Sequence, residues 1–316
     1  YRLVCYYMFP SSNGSSILSP KDLDALLCTH VIVGFASIVN NSIYLNERNA
    51  AVFQHVVAMK ASNADLKVLL SIGGAGTESG FPQMVINHGT RKEFIKSVDE
   101  LVQKYECDGI DLDWEFPNKV PSEDDKQRMH FTQLLYELRK ETNRQHKHKF
   151  LISVAVAAPR FFVDLSYDVS YMNNYVDFIN LMTYDFHFYT YLTPVTGLNA
   201  PLYSTSMDAL YSSTLNINYT AHYWVSKGME KGKINIGLPT YGHSFELFNK
   251  NNNGLNAPAR SYGHLGTNGF VDSKEICSFL LTNNVKVVFD YSARSPYATM
   301  GTEWVSFDDE TSLAYK

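Results

Sequence analysis

The sequence predicts an α/β protein of the (β/α)8 TIM barrel class, and three observations support this fold. Short, almost continuously apolar runs alternate with helical patterns along the first 240 residues. Strands without polar alternation are buried on both faces, which is typical of parallel sheets covered by helices. The strand–helix unit recurs seven times, which favours a barrel over an open doubly wound sheet. The Gly-x-Gly-x-x-Gly turn of dinucleotide-binding folds does not follow the first strand.

The apolar runs define the predicted strands, and the 3.6-residue patterns define the predicted helices. Strands are predicted over 3–8, 30–39, 66–72, 109–114, 150–157, 176–183 and 234–239. Helices are predicted over 21–27, 50–61, 91–105, 124–142 and 220–227.

The regular alternation stops after Pro239. Residues 241–304 contain short strand-like pieces and many Gly, Asn and Ser residues, which predicts an α+β lobe inserted between the seventh strand and its helix near Asp308. Residues 1–240 and 305–316 are then assigned to the barrel. The eighth strand is missing from the predicted set, so either residues outside this sequence complete the barrel or the count is one strand too low.

Composition and charge disfavour several function classes. The formal net charge is −5 and no dense Lys/Arg run occurs, so no nucleic-acid partner is expected. No apolar stretch approaches the roughly 18 residues of a transmembrane helix, so no membrane partner is expected. Tyr1 opens directly on a strand-like run without a signal peptide, although a leader could have been removed. The ten His residues show no metal-ligand pattern. We therefore expect no metal and no cofactor. We also expect a monomer.

Aromatic residues make up 14% of the chain, with 21 Tyr, 19 Phe and 3 Trp. They could form a large core or line a cleft that stacks on sugar rings, and composition cannot choose between the two. The even number of cysteines permits disulfides without proving them.

The segment from Asp108 to Pro117 reads Asp-Gly-Ile-Asp-Leu-Asp-Trp-Glu-Phe-Pro. Alternate side chains of a strand share a face, so Asp111, Asp113 and Glu115 are predicted to point the same way, about 6.6 Å apart. Burial and mutual repulsion disfavour the charged forms. At least one of these carboxyl groups should therefore hold a proton near neutral pH, as a general acid must.

A solvated edge strand and a calcium site fit these acidic residues less well. An edge strand in water would not place the apolar Ile110, Leu112 and Trp114 on the opposite face. Calcium-binding loops carry their carboxylates on a turn with a Gly inside the loop, not along a strand. The pattern therefore favours a buried catalytic strand.

The motif Asp-Gly-x-Asp-x-Asp-x-Glu resembles the signature of the family 18 glycoside hydrolases, the chitinases and chitinase-like lectins. The inserted lobe and the segment starting at Trp304 are similar to those of the larger, animal-type members. Five further segments resemble barrel strands of the family in the same order: Cys5-Tyr-Tyr, Leu27-Cys-Thr-His with Gly34-Phe-Ala, Ser71-Ile-Gly-Gly, Leu181-Met-Thr-Tyr-Asp and Pro239-Thr-Tyr-Gly-His.

The resemblance implies a retaining, substrate-assisted hydrolysis of β-1,4-linked N-acetylglucosamine in chitin or its oligomers. Glu115 would protonate the glycosidic oxygen, and the N-acetyl carbonyl of the sugar on the non-reducing side would attack its own anomeric carbon. Asp113 would orient the acetamide N–H and stabilise the oxazoline-like intermediate. Asp111 would share a proton with Asp113, and Tyr184 would hydrogen-bond the acetamide oxygen.

The resemblance also implies a −1 sugar pocket, to which it assigns Tyr6, Phe35, Met182, Asp185 and Tyr241. For Tyr6, Phe35 and Met182, packing inside the barrel is the alternative. His243, just after Tyr241, could influence the pH profile.

The cysteines have implied roles as well. Members of this kind pair the cysteines that correspond to Cys5 and Cys28. Cys107 would be a buried free thiol, and Cys277 would pair beyond Lys316. The protein would be secreted.

The chain departs from the family where chitin-degrading members place Trp in the cleft. It has Ala75 after Gly73-Gly74, Met8-Phe-Pro after the first strand, and Phe188-Tyr189 after Asp185-Phe-His. Losing several stacking contacts of ~1 kcal/mol each weakens polymer binding by orders of magnitude. Two hypotheses therefore remain. The first is an active endo-type chitinase or related N-acetylglucosaminidase, and the second is a weakly active or non-hydrolytic lectin that binds chitin oligosaccharides.

Overall fold

The structure is a computed structural model that describes residues 1–10, 18–76, 80–119, 125–145 and 147–316. Contacts within the chain divide it into two compact units. The first unit comprises Tyr1–Ala157, Phe161–Leu181 and Trp224–Asn235. The second unit comprises Ala158–Arg160, Met182–Tyr223 and Ile236–Lys316.

The strands and helices are numbered in chain order. The strands are β1 (Val4–Met8), β2 (His30–Val39), β3 (Ser42–Tyr44), β4 (Lys67–Gly73), β5 (Gly109–Asp113), β6 (Leu151–Ala157), β7 (Phe178–Met182), β8 (Ile234–Ile236), β9 (Tyr241–Leu247), β10 (Ala259–Tyr262), β11 (Phe270–Asp272), β12 (Lys286–Asp290), β13 (Ser295–Met300) and β14 (Glu303–Ser306). The α-helices are α1 (Glu47–Ala58), α2 (Phe81–Val85), α3 (His88–Tyr105), α4 (Gln127–Arg144), α5 (Arg160–Ser166), α6 (Val169–Tyr175), α7 (Ile217–Ser226), α8 (Ser273–Leu280) and α9 (Glu310–Tyr315). Short 3-10 turns include Pro20–Asp22, Met59–Ala61, Ser212–Thr214 and Lys231–Lys233.

The first sheet has the order β1-β2-β4-β5-β6-β7-β8, and β3 pairs with the carboxyl end of β2. The pairs from β1 to β6 in this order are parallel. Each of the seven predicted strands corresponds to one strand of this order within a few residues. The alternation of strands and helices that the sequence predicts is therefore present.

Burial explains why these strands read as continuous apolar runs. Val68, Leu69 and Leu70 of β4 and Ile110 and Leu112 of β5 have no exposed surface. Helix α3 begins where the side chain of Asn87 accepts a hydrogen bond from the backbone N–H of Thr90 at 3.1 Å, which satisfies a free N–H of the first turn. Its apolar positions, three to four residues apart, are buried: Phe94, Ile95, Val98, Leu101 and Val102.

Some helix predictions were wrong. The segment 21–27 is the end of a 3-10 helix followed by a turn at residues 25–27. The carboxylate of Asp24 accepts from the backbone N–H of Leu26 at 2.8 Å and thereby favours a local turn over a helix. The start predicted for the fourth helix, at 124, lies outside the described residues. Helices α2, α5 and α6 are missing from the sequence prediction because five to seven residues are too few to show a helical period.

A second sheet lies entirely in the second unit, with the order β10-β9-β14-β13-β12 and β11 paired to β9. Its pairs are antiparallel. Trp304 is fully buried at its centre, stacked on Tyr297 at 4.9 Å between ring centroids and edge-on to Phe245 at 5.3 Å. This sheet and α8 provide the α+β lobe that the sequence predicts after the seventh barrel strand. The exact division at residues 240/241 and 304/305 stays a prediction.

Within the described ranges, no helix combines the length and the apolar character needed to cross a membrane.

Cys5 of β1 and Cys28, just before β2, form a disulfide with a Cα–Cα distance of 6.1 Å. The pairing that the resemblance implied is therefore present, and it fastens the first strand beside the second. Cys107 is a buried free thiol, as expected, and burial raises its pKa to about 12. Cys277 is an exposed free thiol.

The disulfide should contribute to stability by restricting the unfolded chain. Its cysteines are 23 positions apart, so replacing both with Ala should lower the free energy of unfolding by about 3 kcal/mol. Urea unfolding without reductant measures this loss. Cys277→Ala, which removes an exposed free thiol, is the control and should leave the transition unchanged. Equal transitions for the double variant and the wild type would contradict the prediction.

Candidate active site

Asp111 lies in the middle of β5 and has no exposed surface. In the strand register it stands beside Ser71 of β4 and Ser153 of β6. Because side chains at matched positions of neighbouring parallel strands point to the same face, two hydroxyl groups flank its carboxylate. Strand pairing alone therefore places a polar cluster inside an apolar sheet.

The carboxylate of Asp111 accepts four hydrogen bonds. Oδ2 accepts from Tyr6 Oη at 3.0 Å and Ser71 Oγ at 2.7 Å. Oδ1 accepts from Ser153 Oγ at 2.7 Å and Asn180 Nδ2 at 3.3 Å. Burial raises the pKa of Asp111 from its ordinary value, while these four donors act in the opposite direction because they favour the ionised form.

The reach of Tyr6 shows how the first sheet curves. Tyr6 is on β1, and β2 and β4 separate β1 from β5 in the sheet order. Its hydroxyl nevertheless contacts Asp111, and Asn180 of β7 donates to both of them. The sheet therefore curls around Asp111, as a barrel wall does.

Asp113 is the next residue on the same face and is only 4% exposed. Its Oδ1 is buried without a hydrogen-bond partner. Burial raises the pKa of Asp113 well above its ordinary value, and the charges of Asp111 and Glu115 raise it further. Burial and neighbouring charge thus act together on Asp113 and favour its protonated form.

Glu115 lies two residues beyond the end of β5 and is half-buried. The peptide bond between Glu115 and Phe116 is cis. Trp114 points to the opposite face, where it stacks on Phe81 of α2 at 5.2 Å and meets Phe131 of α4 edge-on at 5.7 Å. The predicted alternation of acidic and apolar faces is therefore present up to the strand end.

Gly73 and Gly74 allow a close approach of the backbone to this strand. Both have positive φ angles, +110° and +85°. A Cβ at Gly73 would lie 2.1 Å from the carbonyl oxygen of Asp113, and one at Gly74 would lie 2.7 Å from the ring of Phe35. The N–H of Gly74 donates to the same Asp113 oxygen at 2.9 Å. The Gly-Gly pair thus fixes the backbone of Asp113 and leaves room for Phe35.

A second polar cluster lies within the second unit, around Asp185. Its Oδ1 accepts from Tyr241 Oη at 2.8 Å and lies 2.7 Å from His243 Nε2. Asp185 has a φ of 57°, and its backbone N–H donates to Asn199 Oδ1 at 2.8 Å. Asn199 also donates to the carbonyl of Tyr241 at 3.1 Å, so one amide side chain holds both segments.

Aromatic rings surround this second cluster. Tyr241 stacks on Phe270 at 4.1 Å and meets Tyr184 edge-on at 5.9 Å. Phe188 lies 5.6 Å from the ring of His243. Phe188 and Phe270 are 44% and 48% exposed, so this apolar surface is open to a ligand.

Three further predicted residues lie on barrel strands: Tyr6 and Phe35 in the middle of β1 and β2, and Met182 at the end of β7. Tyr6 is 41% exposed and bonded to Asp111, which argues against simple core packing. Phe35 is half-buried against Gly74. Met182 is half-buried at the end of β7. None of these three positions is buried like the surrounding core.

Sequence reasoning missed three residues that hold Asp111: Ser71, Ser153 and Asn180. Each is the single polar residue in the interior of its strand, which is the signal that could have identified them. A lone polar side chain in a doubly buried strand needs a polar partner on the same face. Among the described residues, no cluster of three or more His, Cys, Asp or Glu could hold a metal ion.

None of the three Trp residues is available to stack on a sugar. Trp114, Trp224 and Trp304 are at most 2% exposed. The indole N–H of Trp224 donates to the carbonyl of Ala157 at 3.0 Å, and that of Trp304 to Asn253 at 3.2 Å. All three serve as core residues.

Comparison with known proteins assigns the family. Residues 2–316 match the model of the glycosyl hydrolases family 18, and the chain belongs to this family. Chitotriosidase-1 of Mus musculus is 36% identical over 329 residues, which cover 100% of this chain and 69% of that protein.

Two solved structures extend this likeness to the fold. Human YKL-39, described as a pseudo-chitinase with retained chitooligosaccharide binding properties, has a TM-score of 0.92 at 36% identity and covers 100% of this chain and 87% of its own. The Group IV chitinase of Ostrinia furnacalis has a TM-score of 0.92 at 30% identity, covering 99% and 88%. These likenesses confirm the TIM barrel fold. They also show that the family includes both chitinases and a protein described as a pseudo-chitinase.

Gly73→Ala should destabilise the protein far more than Gly76→Ala. Both positions have positive φ, which costs an L-residue about 1 kcal/mol, but a Cβ at Gly76 meets nothing within 4 Å. The clash with Asp113 should add at least ~2 kcal/mol at Gly73. Urea unfolding of both variants measures the difference. Equal losses would show that Gly73 is needed only for its backbone angle.

Asp113→Asn should stabilise the protein increasingly as the pH rises. The pKa of Asp113 is raised in the folded state, so the wild type loses stability from its ordinary pKa of 3.8 up to the folded pKa, by about 1.4 kcal/mol per pH unit. Asn stays neutral and avoids this loss. Unfolding free energies at pH 4, 6 and 8 test the trend, with the exposed Asp65→Asn as control. A pH-independent difference would refute it.

Proposed function

We propose that this protein hydrolyses β-1,4-linked N-acetylglucosamine oligomers by a retaining, substrate-assisted mechanism. The observation that carries the proposal is the partnerless, buried Oδ1 of Asp113 between Asp111 and Glu115. A buried polar atom without a partner is costly, so it marks a place where a ligand group would be bound. An acetamide N–H from the substrate would supply the missing hydrogen bond.

Glu115 is proposed as the general acid. It stands at the carboxyl end of a barrel strand, where the catalytic residues of TIM barrels lie, and it keeps part of its side chain accessible. Its proton passes to the glycosidic oxygen as the C1–O bond breaks. The acetamide carbonyl oxygen forms a bond to C1 in the same step, so no enzyme carboxylate is needed as nucleophile.

Asp113 and Asp111 would stabilise the intermediate. The intermediate carries positive charge on its oxazolinium ring, and a nearby carboxylate lowers its energy. Asp111, held by four donors, supplies a fixed negative charge close to Asp113. Water then attacks C1, and the bond between C1 and the acetamide oxygen breaks, which opens the oxazolinium ring and restores the acetamide. The attacking water gives its proton to the Glu115 carboxylate, which restores the acid.

Further substrate contacts are proposed from the motif match with the family. Tyr184 is proposed to hydrogen-bond the acetamide oxygen. Tyr6, Phe35, Met182, Asp185 and Tyr241 are proposed to shape the −1 sugar pocket. The exposed hydroxyl-bearing side chain of Tyr6 and the polar Asp185–Tyr241 pair support these roles, because sugars need both polar and aromatic contacts.

A specific observation favours a second candidate, a lectin that binds chitin oligosaccharides without turning them over efficiently. All three Trp residues are buried in the core, so the stacking surfaces that hold a polymer must come from Tyr and Phe. The likeness to a protein described as a pseudo-chitinase is compatible with this candidate. Retention of the acid Glu115 favours hydrolysis.

We also propose that the protein works outside the cell. The Cys5–Cys28 disulfide is the supporting observation, because disulfides persist in oxidising compartments.

Glu115→Gln should lower the hydrolysis of a fluorogenic chitooligosaccharide by 10² to 10⁴-fold, because the amide cannot give up a proton. Chitotetraose affinity, measured by calorimetry, should stay close to that of the wild type. Glu47→Gln, at an exposed position of α1, is the matched control and should keep full activity. Equal turnover by the wild type and Glu115→Gln would refute the mechanism. Binding by the wild type without turnover would establish the lectin.

A further inference from the structure

A chain of side-chain hydrogen bonds connects Arg2 to Asp111 within the first unit. Arg2 Nε donates to Asn235 Oδ1 at 3.1 Å, and Asn235 Nδ2 donates to Asn180 Oδ1 at 2.9 Å. Asn180 Nδ2 then donates to Tyr6 Oη at 2.9 Å and to Asp111 Oδ1 at 3.3 Å. The proposed mechanism assigns no role to Arg2 or Asn235.

The direction of this chain is fixed at Arg2. A guanidinium group only donates hydrogen bonds, so the amide of Asn235 must turn its oxygen toward Arg2. Its NH2 group then faces Asn180, which must in turn present its oxygen to Asn235. The NH2 group of Asn180 is thereby aimed at Asp111 and Tyr6. Each amide orientation follows from the one before it.

The orientation of the Asn180 amide determines which protonation state of Asp111 is favoured. With its NH2 group inward, Asn180 gives Asp111 a donor and supports the ionised carboxylate. Turned over, it would place its oxygen against Asp111 Oδ1 and Tyr6 Oη. The single proton of Tyr6 is already given to Asp111, so both contacts would be repulsive unless Asp111 took up a proton.

We propose that Arg2 and Asn235 are positioning residues that act through Asn180 to keep Asp111 ionised, so that the proton shared by the pair stays on Asp113. This inference rests on the proposed function, since the value of a protonated Asp113 lies in hydrolysis. Arg2 fixes the direction of the chain, because its guanidinium group is charged at every working pH and can only donate hydrogen bonds.

Other charged and titratable groups face the two ends of the chain. The groups that face Asp111 are Asp113 and Glu115 from its own segment and Tyr6 from β1, beside the neutral Ser71, Ser153 and Asn180. The groups around Arg2 are Asp177 and His30, and its guanidinium carbon lies 4.9 Å from the ring centroid of Phe178. These groups are the same in all variants below, so their effects on the pKa of Asp111 cancel when the variants are compared with the wild type.

Arg2 also has a structural role that the test must separate. It precedes β1, whereas Asn235 and Gly232, whose carbonyl it also contacts, belong to β8 and the turn before it. These strands are the two ends of the first sheet in its order. Asn235→Asp separates the roles, because an aspartate of the same shape keeps the contact to Arg2 but cannot donate to Asn180 when ionised.

The experiment follows the aspartate carboxyl groups by 13C NMR and the pH profile of kcat/KM for a fluorogenic chitooligosaccharide. In Asn235→Asp, the lower apparent pKa of the Asp111–Asp113 pair should rise by about one unit, a tenfold change in proton affinity, and the acidic limb of the profile should move with it. Asn235→Leu, which adds no charge, should shift both in the same direction by less. Asn174→Asp adds a charge at an exposed position of the same unit and should shift neither.

An unchanged lower pKa in Asn235→Asp, or an equal shift in Asn174→Asp, would overturn the inference. If Asn235→Leu fails to fold, Asn235→Asp still decides, since it keeps the shape and the Arg2 contact. If the wild type does not hydrolyse the substrate, the proposed function fails while the NMR titration still tests the chain.

Discussion

Asp111 is a carboxylate without exposed surface in the centre of a parallel sheet, and the site depends on its being there. Transferring an ionised carboxylate into such surroundings is costly unless several donors compensate. The register of β4, β5 and β6 supplies two hydroxyls, and the curvature of the sheet adds Tyr6 and Asn180. The burial of the Asp111 carboxylate thus constrains both the strand register and the curvature of the sheet, because both must supply its hydrogen-bond donors.

The buried charge of Asp111 also affects the pKa of Asp113, which lies on the same face of the strand. Two carboxylates on one strand face cannot both ionise cheaply when both are buried. Four donors point at Asp111, and none reaches Oδ1 of Asp113. This asymmetry in hydrogen bonding opposes the rise in the pKa of Asp111, whereas the charges beside Asp113 add to the rise in its pKa.

The sequence was informative where the determinants are local. Asp111, Asp113 and Trp114 could be assigned to their faces because a strand alternates with a fixed period of two. The role of Ser153 could not be predicted, because it depends on which residue of a neighbouring strand stands opposite. The contact between Arg2 and Asn235 was still harder to predict, since the two residues are 233 positions apart and meet only when the sheet curls.

The short helices show the same limit. Helix α2 supplies Phe81, which stacks on Trp114 and lies against Gly73, yet its five residues leave no periodic trace. Tertiary packing, not helical propensity, stabilises such a segment. The disulfide is a different case. The spacing of the cysteines alone could not have chosen the partners, and the family resemblance predicted the Cys5–Cys28 pair.

The location of the aromatic side chains has a consequence for protein engineering. The proton-handling groups of the first unit are fixed by strand register and by glycines that tolerate no side chain. Phe188 and Phe270 instead lie at exposed positions, one in a loop and one on a short strand, and neither is part of the buried core. Libraries directed at these two positions can therefore explore larger rings, including Trp, while the acidic strand is left intact.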